Sequence, residues 1–283
     1  MAKGEESLPL TGASNAVGHR DRRIMLGITA AFQILTFIFC LPALVPMWHS
    51  HYFSHSEIEQ RAWTWFGMNS LWWSLPLLYV VFQPDNGPAA AAGCLLCAVF
   101  WAYLDIVMIT QWARGILAWS AVGDFAIHTA LCVFCTSAAW GGVASPVHAS
   151  RSDGGNTRRR AFRKWVLVAT SIQLFMAFVA CWPMGHLSVI PPRVEREPAP
   201  WEWNSAVLFT LMLAVLWAAF LTRGGYVDQT KRAMCMWSAI VFSGWFVMSS
   251  FDWPYLGMIG HNLIISVVLA VDASVLFVAA LLN

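Results

Sequence analysis

Two carboxylates, Asp105 and Asp124, lie inside apolar runs of this sequence. A charged side chain at the centre of a membrane costs roughly 2.5–3.5 kcal/mol on insertion scales, so an acid there marks a functional site or a satisfied polar contact. The stretch 101–128 is predicted to form the facing ends of two transmembrane helices, joined by a tight turn at Arg114-Gly115. Because such helices run antiparallel, we expect both acids to lie at a similar depth.

Further polar side chains are predicted to fall in the same half of the membrane as these two acids. His128 follows Asp124 by one helical turn, so it could orient that carboxylate or exchange a proton with it. A buried His or Asn often serves only as a hydrogen-bonded contact between helices. A purely structural role therefore stays open for each of these residues. The candidate catalytic residues are Asp105, Asp124, His128, Asn69, Asp252 and His261.

Tryptophans surround these positions, and several of the 17 in the chain fall well inside apolar runs. A Trp face stabilises a desolvated cation by about 2 kcal/mol or more. A carboxylic acid in a dry, apolar site keeps its proton near neutral pH and can act as a general acid. Together these groups suit the protonation of an epoxide or alkene and the steering of a carbocation. The candidate substrate-binding residues are Trp65, Trp72, Trp101 and Trp245.

The composition defines the class of protein that holds these residues. Of 283 residues, 58% are hydrophobic and 11% are charged, which is typical of a polytopic membrane protein with the lipid bilayer as a partner. The net charge of +2 and the absence of a basic stripe give no indication of nucleic-acid binding. Eight apolar runs are each long enough to cross a membrane as a helix, the first as an uncleaved anchor. They cover residues 24–47, 62–82, 89–111, 117–140, 165–187, 203–222, 233–252 and 257–282.

The eight predicted helices divide into two tandem halves. Residues 1–23 form a polar tail, 24–140 the first four-helix half, 141–164 a basic linker and 165–283 the second half. Three short patterns recur between the halves at nearly the same offset, which favours a duplication. They are Pro46-Met47-Trp48-His49 with Pro183-Met184-Gly185-His186, Trp63-Thr64-Trp65 with Trp201-Glu202-Trp203, and Gly123-Asp124 with Gly260-His261.

The distribution of positive charge predicts the orientation of the chain in the membrane. With a cytosolic N-terminus, all but four of the 17 Lys and Arg residues fall on the cytosolic side. The four exceptions are Arg61, Arg114, Arg193 and Arg196. Both termini are therefore predicted to be cytosolic, with the candidate site in the lumenal half of the membrane.

Several signatures of cofactor chemistry are missing. The sequence has no His-rich di-iron box, no aspartate-rich Mg²⁺ motif and no glycine-rich nucleotide loop. Two Cys-x-x-Cys pairs, Cys94/Cys97 and Cys132/Cys135, could in principle bind zinc, but cysteine in a transmembrane helix usually serves as a small apolar filler. For Asp272 the sequence leaves both a functional and a structural role open. We therefore predict chemistry without a metal or other cofactor.

The chain resembles the integral-membrane terpene cyclases of fungal meroterpenoid pathways, in particular the eight-helix type of ascochlorin-like biosynthesis. The resemblance lies in length, eight spans, short loops, Trp richness and membrane-embedded acids such as Asp105 and Asp124. It implies protonation of a terminal epoxide on a prenylated aromatic substrate at the endoplasmic reticulum, with other enzymes of the pathway as candidate partners. Either acid would be the proton donor and the other would tune it, with His128 and Asn69 in support.

Two other classes of function remain open from the sequence. Tandem repeats and intramembrane acids also fit a small, proton-coupled transporter, although no helix is clearly broken at mid-span in both halves. A lipid- or sterol-binding membrane protein is the third reading, and for it the replacement of Asp105 by Asn should leave ligand binding intact.

Overall fold

A computed structural model describes residues 11–41, 57–82, 87–117, 119–140, 157–181, 198–221, 227–256 and 259–282. Within these residues the chain is all helical, with eight α-helices, one short 3-10 turn and no strand. The predicted all-α fold class is confirmed. The helices are α1 (Thr11–Phe39), α2 (Glu57–Phe82), α3 (Gly87–Ala113), α4 (Val122–Trp140), α5 (Thr157–Ala180), α6 (Pro198–Phe220), α7 (Val227–Leu256) and α8 (Ile259–Leu281).

Seven of these helices are long and apolar enough to cross a membrane, which indicates an integral membrane protein. The sequence predicted eight such spans. The exception is α2, which has ample length but carries several Trp residues together with Asn69 and Pro76. These side chains lower its apolar character without shortening the helix.

Several helix boundaries differ from the sequence prediction. Helix α1 extends back to Thr11, so the second part of the predicted polar tail is helical. Helix α4 begins at Val122 after the 3-10 turn Trp119–Ala121, rather than at residue 117. Helix α6 begins at Pro198, before the predicted start at 203. The recurring Pro46 and Pro183 patterns lie outside the described residues.

The turn predicted at Arg114-Gly115 ends α3. Gly115 has a φ of 71°, a left-handed conformation that glycine adopts without steric penalty. The backbone N–H of Ile116 donates to the carbonyl of Gln111 at 2.9 Å, and that of Gly115 donates to Trp112 at 3.0 Å. These two bonds form a Schellman motif, which satisfies carbonyls at the end of α3 and turns the chain toward α4.

Helices α1 and α2 pack closely and run antiparallel. Near one end, the Thr64 hydroxyl donates to the carbonyl of Cys40 at 3.5 Å. Near the other end, Arg23 Nε donates to the carbonyl of Val81 at 2.7 Å. A Cβ atom on Gly67 would lie 2.5 Å from Cys40 Cβ, so the close approach of the two backbones requires a glycine there.

Two buried arginines each join a helix to the one that comes three helices later in the chain. Arg22 Nε on α1 donates to the carbonyl of Ala138 on α4 at 2.9 Å. Arg163 Nε on α5 donates to the carbonyl of Ala279 on α8 at 2.8 Å. Both pairs are separated by 116 residues along the chain. The guanidinium groups meet carbonyls in the last turn of a helix, where a positive charge is favourable.

The seven candidate spans differ in how much of their surface the bundle covers. Helix α6 is the most buried, with 61% of its apolar segment inside, whereas α4 is the least buried at 17%. Helix α3 packs between them and is half buried. A polar side chain between α3 and α4 therefore lies near the lipid-facing surface, while one on α6 lies at the centre of the bundle.

Candidate functional site

Asp105 on α3 meets two neighbouring side chains of α4. The Thr129 hydroxyl is 2.9 Å from Asp105 Oδ2 and 3.0 Å from the carbonyl of Phe125, so its one proton is shared between two acceptors. His128 Nδ1 lies 3.9 Å from Asp105 Oδ1, which is just beyond hydrogen-bond distance. Asp105 Oδ1 and His128 Nδ1 are buried, and neither has a hydrogen-bond partner in the described part of the chain. We refer to these two residues as the Asp105–His128 pair.

Aromatic rings enclose the imidazole of this pair. The His128 ring centroid is 5.0 Å from that of Trp101, 6.0 Å from that of Phe32 and 6.1 Å from that of Trp203. Trp101 is fully buried, and its Nε1 donates to the Thr29 hydroxyl at 3.4 Å. The rings thus have fixed positions, and their faces suit a developing positive charge.

Asp105 is the member of the pair that can be reached from outside the bundle. Its side chain is 14% exposed, compared with 3% for His128. Adjacent residues on the two helices, Ile106 and Ile127, are exposed apolar side chains. A hydrophobic molecule in the bilayer could therefore approach the Asp105 carboxyl along the surface between α3 and α4.

Asp124 lies apart from Asp105. It is in the first turn of α4 and is exposed, one turn before His128, with which it interacts electrostatically. Thr129, the hydrogen-bond partner of Asp105, is five residues further along α4, or about 7.5 Å along the helix axis. His128 thus interacts with both acids.

Asn69 belongs to a second polar cluster within the bundle. Its Nδ2 donates to Asn204 Oδ1 at 2.9 Å, and its Oδ1 accepts from Trp245 Nε1 at 2.7 Å. Asn204 in turn directs its Nδ2 at the Cys181 sulfur, 3.9 Å away. We call Asn69, Asn204, Trp245 and Cys181 the Asn69 cluster. It joins α2, α6 and α7, and the amide of Asn69 both donates and accepts a bond.

Two further candidate residues from the sequence, Trp72 and Trp65, pack against other helices of the bundle. Trp72 packs against Gly244 on α7, where an added Cβ would lie 2.6 Å from the indole. Trp65 is half buried and packs against the main hydrophobic core. Asp252 lies in α7 and His261 in α8, and the side chains of both are outside the described residues.

Sequence reasoning missed a buried acid, Glu202. Its side chain is 2% exposed and forms an ion pair with Arg114, which is more exposed at 38%. Gln111 Nε2 donates to Glu202 Oε2 at 2.9 Å, while Gln111 Oε1 accepts from Trp203 Nε1 at 2.9 Å. We call Glu202, Arg114, Gln111 and Trp203 the Glu202 cluster. It fixes the Trp203 indole, which is one of the rings around His128.

The sequence gives only the polar type of these residues and not their neighbourhood. Gln111 lies near the end of the predicted third span, six residues after Asp105. Glu202 stands between two tryptophans just before an apolar run, a position that was assigned to the boundary of a span. Because α6 begins at Pro198, Glu202 is instead inside the helix and reaches Gln111 and Arg114 at the end of α3.

The cysteines and Asp272 form no evident chemical centre. Cys97 and Cys135 are fully buried and interact with each other, and all seven cysteines are free thiols. Among the described residues, no group of three or more His, Cys, Asp or Glu side chains could hold a metal ion. Asp272 on α8 interacts with Gln173 of α5.

Comparison of the chain with protein-family models, with curated proteins and with solved structures finds no match. The side chains of the candidate site are therefore the basis on which a function can be proposed.

Proposed function

We propose that this protein is a membrane-bound, cofactor-independent terpene cyclase, which protonates a terminal epoxide on a prenylated aromatic compound and cyclises it. One observation carries the proposal. An acid and an imidazole face each other within the membrane span, each with an atom that lacks a hydrogen-bond partner, beside fixed aromatic rings. Two buried atoms without a partner, one on an acid and one on an imidazole, suit the exchange of a proton.

In this mechanism Asp105 is the general acid. Its neutral carboxyl donates a proton to the epoxide oxygen, and the bond from that oxygen to the more substituted carbon breaks. The electron pair of a neighbouring alkene then closes a ring onto the cationic carbon. The cyclic cation finally loses a proton to the imidazole of His128, so the product and the substrate have the same mass.

His128 returns the proton to Asp105. Its Nδ1 is 3.9 Å from Asp105 Oδ1, so a shift of about 1 Å brings the two atoms to hydrogen-bond distance. Asp124, exposed one turn earlier on α4, tunes the charge of the imidazole through space. The reaction is an isomerisation, and this route allows it to run without net consumption of protons.

The rings of Trp101 and Trp203 stabilise the cation in the proposed mechanism. Trp101 is held through Thr29, and Trp203 through Gln111 of the Glu202 cluster. Because both indoles are fixed before substrate arrives, they need no reorganisation when positive charge develops. The prenyl chain enters from the bilayer, on the exposed face between α3 and α4.

We also propose that all eight helices cross the membrane, in two tandem halves of four. The equal 116-residue spacing of the Arg22–Ala138 and Arg163–Ala279 bonds supports a repeat with an offset of 141 residues, about one helical turn more than the offset of the sequence patterns. The antiparallel packing of α2 against α1 supports α2 as the eighth span. In this arrangement both termini are cytosolic, the protein resides in the endoplasmic reticulum, and other enzymes of the pathway are candidate neighbours.

The test is product formation in microsomes from a heterologous host that expresses the chain, supplied with an epoxyfarnesyl phenol. We expect a cyclised product of unchanged mass from the wild type and its loss in Asp105→Asn. Asp272→Asn is the matched control, because it makes the same chemical change in another intramembrane acid that does not contact the pair. No turnover by well-expressed wild type on several such substrates, together with solute flux in proteoliposomes, would replace the proposal with a transporter.

A further inference from the structure

A cluster of basic side chains lies where α5 and α7 begin and α8 ends. Arg163 is almost fully buried, and its Nη1 donates to Asp228 Oδ1 at 2.7 Å, while its Nη2 donates to the carbonyl of Leu282. Arg160 Nε lies 3.9 Å from the same carboxylate oxygen of Asp228. One carboxylate is thus shared by two guanidinium groups.

Two lysines add further positive charge to this cluster. Lys231 is only 5% exposed, and it interacts electrostatically with Lys164, Asp228 and Arg160. In the described part of the chain, four cations therefore gather around the single carboxylate of Asp228. Burying an ammonium group among other cations costs free energy unless an anion binds beside it.

The cluster lies at the boundary of the membrane span rather than at its centre. Lys164 Nζ is 4.8 Å from the ring centroid of Phe220 and 5.6 Å from that of Trp165, and both rings are exposed. Aromatic residues beside a lysine are typical of the interfacial region, where lipid headgroups lie.

At the corresponding end of α1 to α4, Arg22 donates to the carbonyl of Ala138 and Arg23 donates to that of Val81. Arg20 and Asp21 lie beside them in α1 and are both exposed. The start of α3, which takes the place of α7 in this group, carries only small residues from Gly87 to Gly93 apart from Pro88.

From these contacts we propose that Lys231, Lys164 and Arg160 bind the phosphate of an anionic lipid headgroup between the starts of α5 and α7. The proposal is independent of the cyclase reaction, because the Asp105–His128 pair lies on α3 and α4. The phosphate supplies a negative charge beside the buried ammonium group of Lys231, and the acyl chains lie along the exposed rings of Phe220 and Trp165.

The experiment is native mass spectrometry of the full-length chain in detergent, titrated with phosphatidylglycerol or with phosphatidylcholine of the same chain length. Lys231→Met removes the charge and retains a long, unbranched side chain. Arg232→Met is the matched control, since it removes one positive charge at the next position, where the side chain is exposed. Lys164→Met, at a less buried position, tests the site independently if Lys231→Met lowers the yield of folded protein.

We expect phosphatidylglycerol to bind at least tenfold more tightly than phosphatidylcholine. Lys231→Met or Lys164→Met should weaken the binding of phosphatidylglycerol about fivefold, and Arg232→Met less than twofold. Equal affinity for the two lipids, or equal effects of Lys231→Met and Arg232→Met, would overturn the proposal. Displacement by millimolar inorganic phosphate would support a site for phosphate alone, and resistance to it would support the lipid as the source.

Discussion

The Asp105–His128 pair and the Asn69 cluster are both polar groups within the helical bundle, but they differ in how their hydrogen bonds are used. In the Asn69 cluster, the amide of Asn69 donates to Asn204 and accepts from Trp245. In the pair, Asp105 Oδ1 and His128 Nδ1 face each other at 3.9 Å without a bond. Both groups were candidates for catalysis from the sequence, and their side-chain types alone did not separate them.

The difference suggests a division of roles. A polar side chain whose bonds are complete stabilises the contact between helices, and its loss should affect folding. A polar side chain with an unused atom contributes less to stability and remains able to exchange a proton with a substrate. Substitutions in the Asn69 cluster should therefore lower stability more than activity. Substitutions in the Asp105–His128 pair should lower activity more than stability.

The largest effect is expected from Asp105→Asn. The substitution keeps the shape of the side chain and an acceptor for Thr129 but removes the acidic proton, so product formation should fall at least ~100-fold. The melting temperature in detergent should change by no more than a few degrees, because no buried ion is left without a partner. Retention of activity at normal expression would exclude Asp105 as the proton donor.

The second effect, on stability, is expected from Glu202→Ala. It leaves Arg114 and Gln111 without their buried partner, and breaking such a pair costs about 3 kcal/mol or somewhat less because Arg114 is partly exposed. Thermal unfolding in detergent measures this loss. Glu202→Gln is the control that keeps a hydrogen-bonding group. If the alanine variant were as stable as the wild type, the Glu202 cluster would not be a structural contact.

A smaller effect on stability is expected from Asn69→Leu, at about 1 kcal/mol, the usual scale for hydrogen bonds between transmembrane helices. Activity per folded molecule should be unchanged. The double variant with Asn204→Leu should lose less than the sum of the two single variants, because the two amides share a bond. A strong loss of turnover in well-folded Asn69→Leu would remove the distinction between the two groups.

The smallest effect is expected from Thr129→Val, which deletes one hydrogen bond to Asp105 without changing the volume of the side chain. Stability should change by about 0.5 kcal/mol, and turnover should fall roughly threefold, since the carboxyl loses one group that orients it. Ser137→Ala, on the same helix and with a hydroxyl that bonds only within α4, is the control and should leave turnover unaffected.

Much of the fold follows from the sequence because apolar length and helix-ending residues are local properties. The seven apolar spans and the turn at Gly115 are of this kind. Helix starts were less predictable. The 3-10 turn before Val122 delays α4, so α4 presents His128 and Thr129 to Asp105 rather than Asp124. A hydropathy pattern gives the extent of a run but does not give the rotation of a helix about its axis.

The contacts between distant helices were the least predictable part of the site. Asn69 meets Asn204, and Gln111 meets Glu202, only because α6 lies against both α2 and α3. Residues of α6 are about 90 to 135 positions away from these partners in the sequence. No local pattern encodes that neighbourhood, so the Glu202 cluster could not be assigned before the packing was known.

The buried arginines of α1 and α5 have a consequence for biogenesis. Each donates to a carbonyl that is synthesised 116 residues later, so its guanidinium lacks that acceptor while the intervening helices emerge from the ribosome. An arginine without its acceptor should stay at the edge of the bilayer until α4 or α8 supplies the carbonyl. Release of α1 from the insertion machinery should thus await α4, and release of α5 should await α8, so that each group of four helices is delivered to the membrane as a unit.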